Sequence, residues 1–360
     1  MRVLVVNAGS SSLKLSLLDG GDALLGEREL AAPRATVAAQ DVAAAVAELG
    51  APDAVGHRIV HGGARFRGPV RLAPAVAREL DALTDLAPLH QPKSLAALRA
   101  VEDVLGGVPA VACFDTAFHA TLPDAAATYA LPPEWRERWG LRRFGFHGLS
   151  HAYAARRAAE LAGGSRVVTC HLGAGASLCA VRDGRSVDTT MGFTPLEGLV
   201  MATRSGSVDP GLLLWLLERD VAPDELADAL EHRSGLAALA GTADMRAVID
   251  GAAAGEARAT LALDVYVHHL RAGIGAMAAA LGGLDVLVFT GGVGERASAV
   301  RARAAAGLGF LGVALDPAAD ERGTGDRDVG AAGAAARTLV VHAREDLEIA
   351  RQVRAVLGGA

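Results

Sequence analysis

The sequence predicts an α/β protein built from two similar halves, and three observations carry that expectation. At 360 residues the chain is long for one core, and 51% hydrophobic with 21% charged residues describes a well-buried globular chain. A β-branched strand, Val3–Val6, enters a turn of small polar residues, Asn7 to Ser12, and returns as Leu13–Leu18. The same order of strand, glycine- and serine-rich turn and strand recurs at Val167–His171, Gly173–Ser177 and Ser177–Arg182, closed by Asp183-Gly184. No linker is rich enough in Pro, Gly and Ser to separate independent modules. The halves are therefore expected to share a close hinge and to present their two turns to a common cleft.

The remaining elements follow from periodicity. Ala54–Val60 reads as a strand, Pro74–Leu86 and Ser94–Leu105 as helices, and Val108–Phe114 as an apolar strand ending at Asp115. Glu134–Trp139 and His151–Leu161 fit helices, as do Pro210–Glu218 and Pro223–Leu230, each with Pro near its start. Ala257–Leu281 is a long helical region interrupted by Gly273 and Gly275, and Val286–Thr290 a buried strand running into Gly291–Glu295. Ser298 is the expected cap of a helix to Ala306, and Asp320–Asp328 an exposed loop. Thr338–His342 is a late strand, and Glu345–Leu357 a final helix expected to pack back across the hinge.

Charge and composition exclude several classes. A formal net charge of -6 offers no basic field to nucleic acid or an anionic membrane. The Ala-rich stretch Ala276–Leu281 lies between His268, His269, Arg271 and Asp285, which reads as a buried or amphipathic helix rather than a membrane span. Cys113, Cys170 and Cys179 form no CxxC pair or metal-ligand spacing, so a reducing, cytoplasmic compartment is expected. No signal-type apolar run precedes the first turn.

Several segments could carry chemistry. The turn Asn7 to Lys14 combines backbone N–H groups, Ser10, Ser11 and Ser12 hydroxyls and a mobile lysine charge, a combination suited to a phosphoryl group; an ordinary polar hairpin tip has the same letters. Arg58 stands inside a buried-looking strand beside Gly62-Gly63, where its fork could meet a carboxylate, a phosphoryl group or a structural acid. Asp115, just past the carboxyl end of a strand, could bind Mg²⁺, orient a nucleophilic oxygen, or cap a helix. His147 lies between glycines and aromatics, and Arg204 opens a turn after Thr194–Gly198. Gly291, Gly292 and Gly294 after a strand suit phosphate or nucleotide contact, or tight strand–helix packing. Glu345 suits the helix dipole in any case, and a metal role is the second reading.

Together these segments resemble the acetate kinase family of acetate and propionate kinases, within the sugar kinase/heat-shock 70/actin superfamily. The resemblance runs in order through Asn7–Lys14, His57–Gly63, Leu86–His90, Phe114–His119, Gly145–His151, His171–Ser177, Met191–Arg204 and Phe289–Glu295. It implies a two-domain actin-like (ribonuclease H-like) fold with duplicated mixed sheets and a central cleft. Residues 1–147 with the helix 345–360 would form one domain, and 148–344 the other, carrying the nucleotide site and a homodimer surface. It also implies that Arg58, Asp115, His147 and Arg204 are catalytic, and that His90 and His171 are further active-site histidines. Val60, Leu89, Phe146 and Pro195 would receive the alkyl group of a small carboxylic acid. Asn7 and Glu345 would neighbour Mg²⁺, or Mn²⁺ in its place. Ser12, Lys14, His171, Gly173, Gly175, Asp244, Met245, Arg246, Gly291, Gly292, Gly294 and Arg301 would meet ATP or ADP.

The physics of the implied reaction agrees. A carboxylate is already a nucleophile at neutral pH, so the obstacle is repulsion between two anions, which Mg²⁺, Lys14, Arg58 and Arg204 would offset during in-line attack. Three positions depart from the family: Ala174 and Arg296 stand where asparagine is usual, and Ser207 where aspartate is usual. The chain is also shorter than typical members. These departures bear on the phosphoryl donor, leaving pyrophosphate or another nucleotide open beside ATP, and loss of one buried donor costs roughly 1–3 kcal/mol. A propionate- or butyrate-preferring kinase fits the same residues, and so does an inactive nucleotide-binding protein that keeps the fold.

Overall fold

The computed structural model describes residues 1–9, 12–31, 38–84 and 91–358. The chain forms two compact units, one comprising Met1–Ala120, Phe146–Tyr153 and Arg344–Ala360, the other Thr121–Gly145 and Ala154–Ala343.

The first unit holds strands β1 (Val3–Ala8), β2 (Ser12–Leu18), β3 (Leu24–Ala31), β4 (Ala54–Ile59), β5 (Val70–Arg71) and β6 (Ala110–Phe114) in one sheet of order β3-β2-β1-β4-β6-β5. β1, β4 and β6 are parallel, while β2, β3 and β5 run antiparallel to their neighbours. Alternation along β1 divides the core. Leu4 and Val6 join Leu13, Leu15 and Leu17 against the helices Ala39–Leu49 and Gln91–Leu105. Val3 and Val5 face Ile349, Ala350 and Val353 of the final helix, Glu345–Gly358. Gly56 is required there, since a Cβ would lie 2.5 Å from Ile349 Cγ2.

The second unit repeats the design. Strands β7 (Arg166–Leu172), β8 (Ala176–Arg182), β9 (Arg185–Thr189), β10 (Val286–Thr290), β11 (Arg327–Asp328) and β12 (Arg337–Val340) run β11-β12-β10-β7-β8-β9. β7, β10 and β12 are parallel, with β8, β9 and β11 antiparallel. The duplicated mixed sheets expected from the sequence are therefore present, each with a third antiparallel strand (β3, β9) beyond the hairpin that periodicity reveals. The helix Ala257–Leu281 is continuous through Gly273, where a Cβ would sit 2.7 Å from Leu178 of β8; the glycine lets helix and sheet approach.

Three local expectations change. The stretch expected as an exposed loop from Asp320 contains the end of a helix, Pro317–Glu321, and Asp320 is buried against Arg301. The helix Ser298–Ala305 begins without a side-chain cap, so Ser298 does not play that part. The helix expected over Pro74–Leu86 ends at Asp81, and the glycine run after β10 forms a short helix, Gly291–Arg296. Among the described residues no helix is long and apolar enough to cross a membrane.

Candidate active site

Register places the charged cluster of the first unit. Asn7 pairs with Lys14 across β1 and β2, and Val6 pairs with His57 across β1 and β4, so Arg58 follows one step beyond on the Asn7 side. Arg58 Nη2 donates to Asp115 Oδ2 at 2.7 Å and Nε to both carboxylate oxygens at 3.1 and 3.2 Å. Its Nη1 donates to Asn7 Oδ1 at 3.0 Å and lies 3.7 Å from Glu345 Oε2. Asn7 Nδ2 in turn donates to Glu345 Oε2 at 3.1 Å. One arginine thus gathers an amide and two carboxylates from three other places in the chain.

The electrostatics follow from burial. Asp115 is 1% exposed, and burial raises its carboxyl above the ordinary value against the pull of Arg58. Burial also opposes the Arg58 charge, but Asp115 and Glu345 outweigh it and hold the guanidinium protonated more firmly than usual. The helix Gly148–Ala162 starts at this cluster: Gly148 N–H donates to the Asp115 carbonyl at 2.8 Å, and a Cβ at Gly148 would fall 2.1 Å from that oxygen. His147, immediately before, has a left-handed φ of 56°, a conformation costly for a residue with a Cβ. The glycine that flanks His147 in sequence is therefore the fitting that brings its backbone against Asp115.

Val60 and Phe146 belong to the same unit and are 7% and 1% exposed; Phe146 contacts the His61 ring edge-on at 5.5 Å. Lys14 is half-exposed and bridges to Glu27 of β3 at 2.8 Å, and Ser12 opens β2. Leu89, His90 and Ser10 lie outside the described residues.

In the second unit Arg204 is partly buried, and burial lowers its pKa from the usual value; its Nη1 donates to the Pro195 carbonyl at 3.2 Å. The loop that carries Pro195 is braced by residues the sequence did not reveal as a group. Arg143 donates to the carbonyls of Thr189, Thr190 and Met191 and pairs with Glu197 at 2.7 Å. Tyr129 Oη donates to Glu197 at 2.6 Å and accepts from Phe193 N–H. Gly192 is the available signal, since its Cβ would lie 1.7 Å from Glu197 Oε2. Ser207 accepts from Gly198 N–H at 3.0 Å, so this departure keeps a side-chain acceptor.

A cavity of about 490 Å³ gathers Gly173, Asp244, Met245, Arg246 and Gly292 with Ala174, Arg296 and Tyr266. His171 pairs with Ser177 on one side and with Thr290 on the other. Gly175 accepts at its carbonyl from Gly173 N–H, which closes the turn between β7 and β8. Gly291 donates its N–H to Glu295, and Gly294 gives its carbonyl to Arg301. Arg301 is 1% exposed and pairs with Asp320 at 2.6 Å, with further bonds to the carbonyls of Glu295 and Asp320; its donors serve the chain itself. Of the residues assigned to nucleotide, five line this cavity and Arg301 braces the helix behind it.

The duplicated mixed sheets define an actin-like fold. Solved structures agree across nearly the whole chain: acetate kinase from Porphyromonas gingivalis (TM-score 0.90, 34% identity, 99% of both chains) and a propionate kinase from Francisella tularensis (0.90, 32%, 99% of both). The Acetokinase family profile matches residues 30–351. Acetate kinase from Gloeobacter violaceus is 53% identical over 305 residues, covering 83% of this chain and 75% of that protein. Acetate kinase from Leifsonia xyli is 47% identical over 397 aligned positions, covering 99% of each. The chain belongs to the acetokinase family.

Proposed function

We propose that the chain catalyses reversible, Mg²⁺-dependent transfer of the γ-phosphoryl group of ATP to acetate, giving acetyl phosphate and ADP. The observation that carries the reading is the Arg58–Asp115–Asn7–Glu345 cluster, in a chain 47% identical to an acetate kinase over almost its full length. A carboxylate oxygen of the acid forms the new O–P bond, the bond from the γ-phosphorus to the β,γ-bridging oxygen breaks, and ADP leaves with that electron pair. No proton need move, so no general base is called for.

Arg58 and Arg204 meet the negative charge of acid and phosphoryl group, His147 donates to the equatorial phosphoryl oxygens, and Asp115 fixes the Arg58 fork. Val60, Leu89, Phe146 and Pro195 are the residues assigned to the alkyl group of the acid, and His90 and His171 are assigned as further active-site histidines. Lys14 and Ser12 serve the phosphate. The cavity lined by Asp244, Met245, Arg246 and Gly292 takes the nucleotide. Asn7 and Glu345 provide oxygen donors only, a set that fits Mg²⁺ or Mn²⁺ held partly by substrate phosphates rather than by a full protein cage. Among the described residues no group of three His, Cys, Asp or Glu side chains could hold such an ion, in keeping with that division. Magnesium, when bound, supplies neutralisation of phosphate charge.

A propionate preference is the second reading, favoured by the likeness to the Francisella tularensis propionate kinase; one methylene is worth only about 1–3 kcal/mol of discrimination. A homodimer through the second unit is supported by the helix Pro210–Leu217, where Leu212, Leu214, Trp215 and Leu217 are 46%, 63%, 48% and 40% exposed. A cytoplasmic setting suits three buried, unbridged cysteines. The test is an acyl-hydroxamate assay crossing acetate, propionate and butyrate with ATP, GTP and pyrophosphate. Hydroxamate is expected first with acetate and ATP, and only with Mg²⁺ or Mn²⁺. Its absence with every donor overturns the reading, as does a kinetically competent phosphoenzyme.

A further inference from the structure

The segment from Thr189 to Gly198 carries Pro195, whose carbonyl receives Arg204 Nη1, and the chemistry proposed above gives no part to the side chains that hold this segment. The successive carbonyls of Thr189, Thr190 and Met191 converge on Arg143 Nη1 at 3.1, 3.2 and 3.0 Å. Converging carbonyl dipoles repel one another, and a charged donor between them offsets that repulsion. Arg143 Nη2 donates to Glu197 Oε1 at 2.7 Å, so one guanidinium fastens both ends of the segment. Glu197 Oε2 accepts from Tyr129 Oη at 2.6 Å, and that oxygen in turn accepts from Phe193 N–H at 2.9 Å in the middle of the segment. Burial and the Glu197 carboxylate hold the Tyr129 phenol above its usual range, so it remains a donor near pH 7. Gly192 leaves room for the cluster, since its Cβ would lie 1.7 Å from Glu197 Oε2 and 2.2 Å from Tyr129 Oη. The Gly192 carbonyl accepts from Phe144 and Gly145 N–H, each at 3.1 Å, and Gly145 runs directly into Phe146 and His147 in the chain.

We propose that Glu197, clamped between Arg143 and Tyr129, is a positioning residue for the reaction. It sets the path of the segment from Thr189 to Gly198, and through it two carbonyls: that of Pro195, which holds Arg204, and that of Gly192, which holds the chain entering Phe146 and His147. The brace stands on the geometry alone; its effect on turnover rests on the acid-kinase reading above. The test compares amide hydrogen exchange and steady-state kinetics of the full chain with those of Glu197→Ala, Glu197→Gln and Tyr129→Phe.

Glu197→Ala should speed exchange of the Phe144, Gly145 and Phe193 amides about tenfold, while the amides of β10 keep their protection. It should also raise the acetate KM and lower kcat by about tenfold each, with the ATP KM changed by less than about twofold, because Asp244, Met245 and Arg246 stand on another element. A merely structural role would shrink the folded fraction, which scales the apparent kcat and leaves both KM values where they were. Glu197→Gln keeps an acceptor for Tyr129 and should recover most of the loss, whereas Tyr129→Phe should cost about threefold in the acetate KM. Unchanged exchange in Glu197→Ala overturns the brace, and altered exchange with an unchanged acetate KM overturns the positioning role. Should Glu197→Ala fail to fold, Tyr129→Phe decides in its place: unchanged exchange at Phe193 and an unchanged acetate KM overturn the proposal. Absence of acetate turnover in the unmodified chain defeats the kinase reading and the catalytic consequence with it, while the exchange result still decides the brace.

Discussion

The two units share one sheet design and differ in what they place at its carboxyl edge. In the first, the end of β1 carries Asn7, the strand beside it Arg58, and the segment after β6 Asp115. At the matching places the second unit has His171 and Thr290, which pair directly, and Ala343 beyond β12. Lys14, opposite Asn7, is matched by Ser177, opposite His171. One copy of the fold thus concentrates arginine and carboxylates at its strand ends, and the other places a histidine and two hydroxyl groups there and carries Asp244, Arg246 and Arg296 in its cavity. A duplicated scaffold fixes where a site can form, and the few side chains at the strand ends decide its chemistry.

The comparison breaks most sharply at the arginines. Arg58→Ala should lower kcat by roughly 10²–10³, because a preorganised charge is removed while Asp115 stays buried without its partner. Arg204→Ala should likewise cut turnover far more than stability; equal losses in the hydroxamate assay and in urea melts would make Arg204 structural. Arg301→Ala should behave oppositely, costing about 3–5 kcal/mol of stability in urea because Asp320 is left buried, before any specific loss of nucleotide binding.

Acid sharpens the contrast further. His57 and His61, both in the first unit, are pushed down to about 4 by burial. Between that value and the ordinary 6.5 the unfolded chain binds protons that the folded unit does not, so stability is full above 6.5 and falls as pH drops towards 4. The slope is roughly 1.4 kcal/mol per pH unit for each ring. A urea series from pH 7 to 4.5 checks it, and a flat stability would show that these rings are protonated in the folded state. The smallest effect is expected at Ala174→Asn, which restores an amide to the cavity wall and should lower the ATP KM by a few-fold, or about 1 kcal/mol, with the acetate KM unchanged.

Much of the fold was legible because β1, β6, β7 and β10 are short, largely apolar runs, and the hairpin of β1 and β2 recurs in β7 and β8. β3 was not legible: Leu24, Leu25 and Arg28 are exposed on an edge strand, so alternation gives no signal. The helix Ala39–Leu49 buries only Val42, Ala45 and Val46, and alanine periodicity is weak. At the site, Arg58 and Asp115 could be named from sequence, but their pairing depended on the register of β4 against β6. Asp244 and Arg246 were identified by resemblance alone. Locally they form the cap of a helix, Asp244 accepting from Arg246 N–H at 3.0 Å. Arg301 bonds within the chain, and composition cannot tell an arginine aimed at a phosphate from one that bonds to carbonyls.

That arginine also joins parts of the chain that would otherwise fray apart. By holding the carbonyls of Gly294 and Glu295 together with both the side chain and the backbone of Asp320, it makes the stretch from the short glycine helix to Asp320 one cooperative piece. Amide protons across that stretch should exchange with solvent through a single common opening rather than from the exposed end inward, and the wall of the cavity would then appear and vanish as a unit.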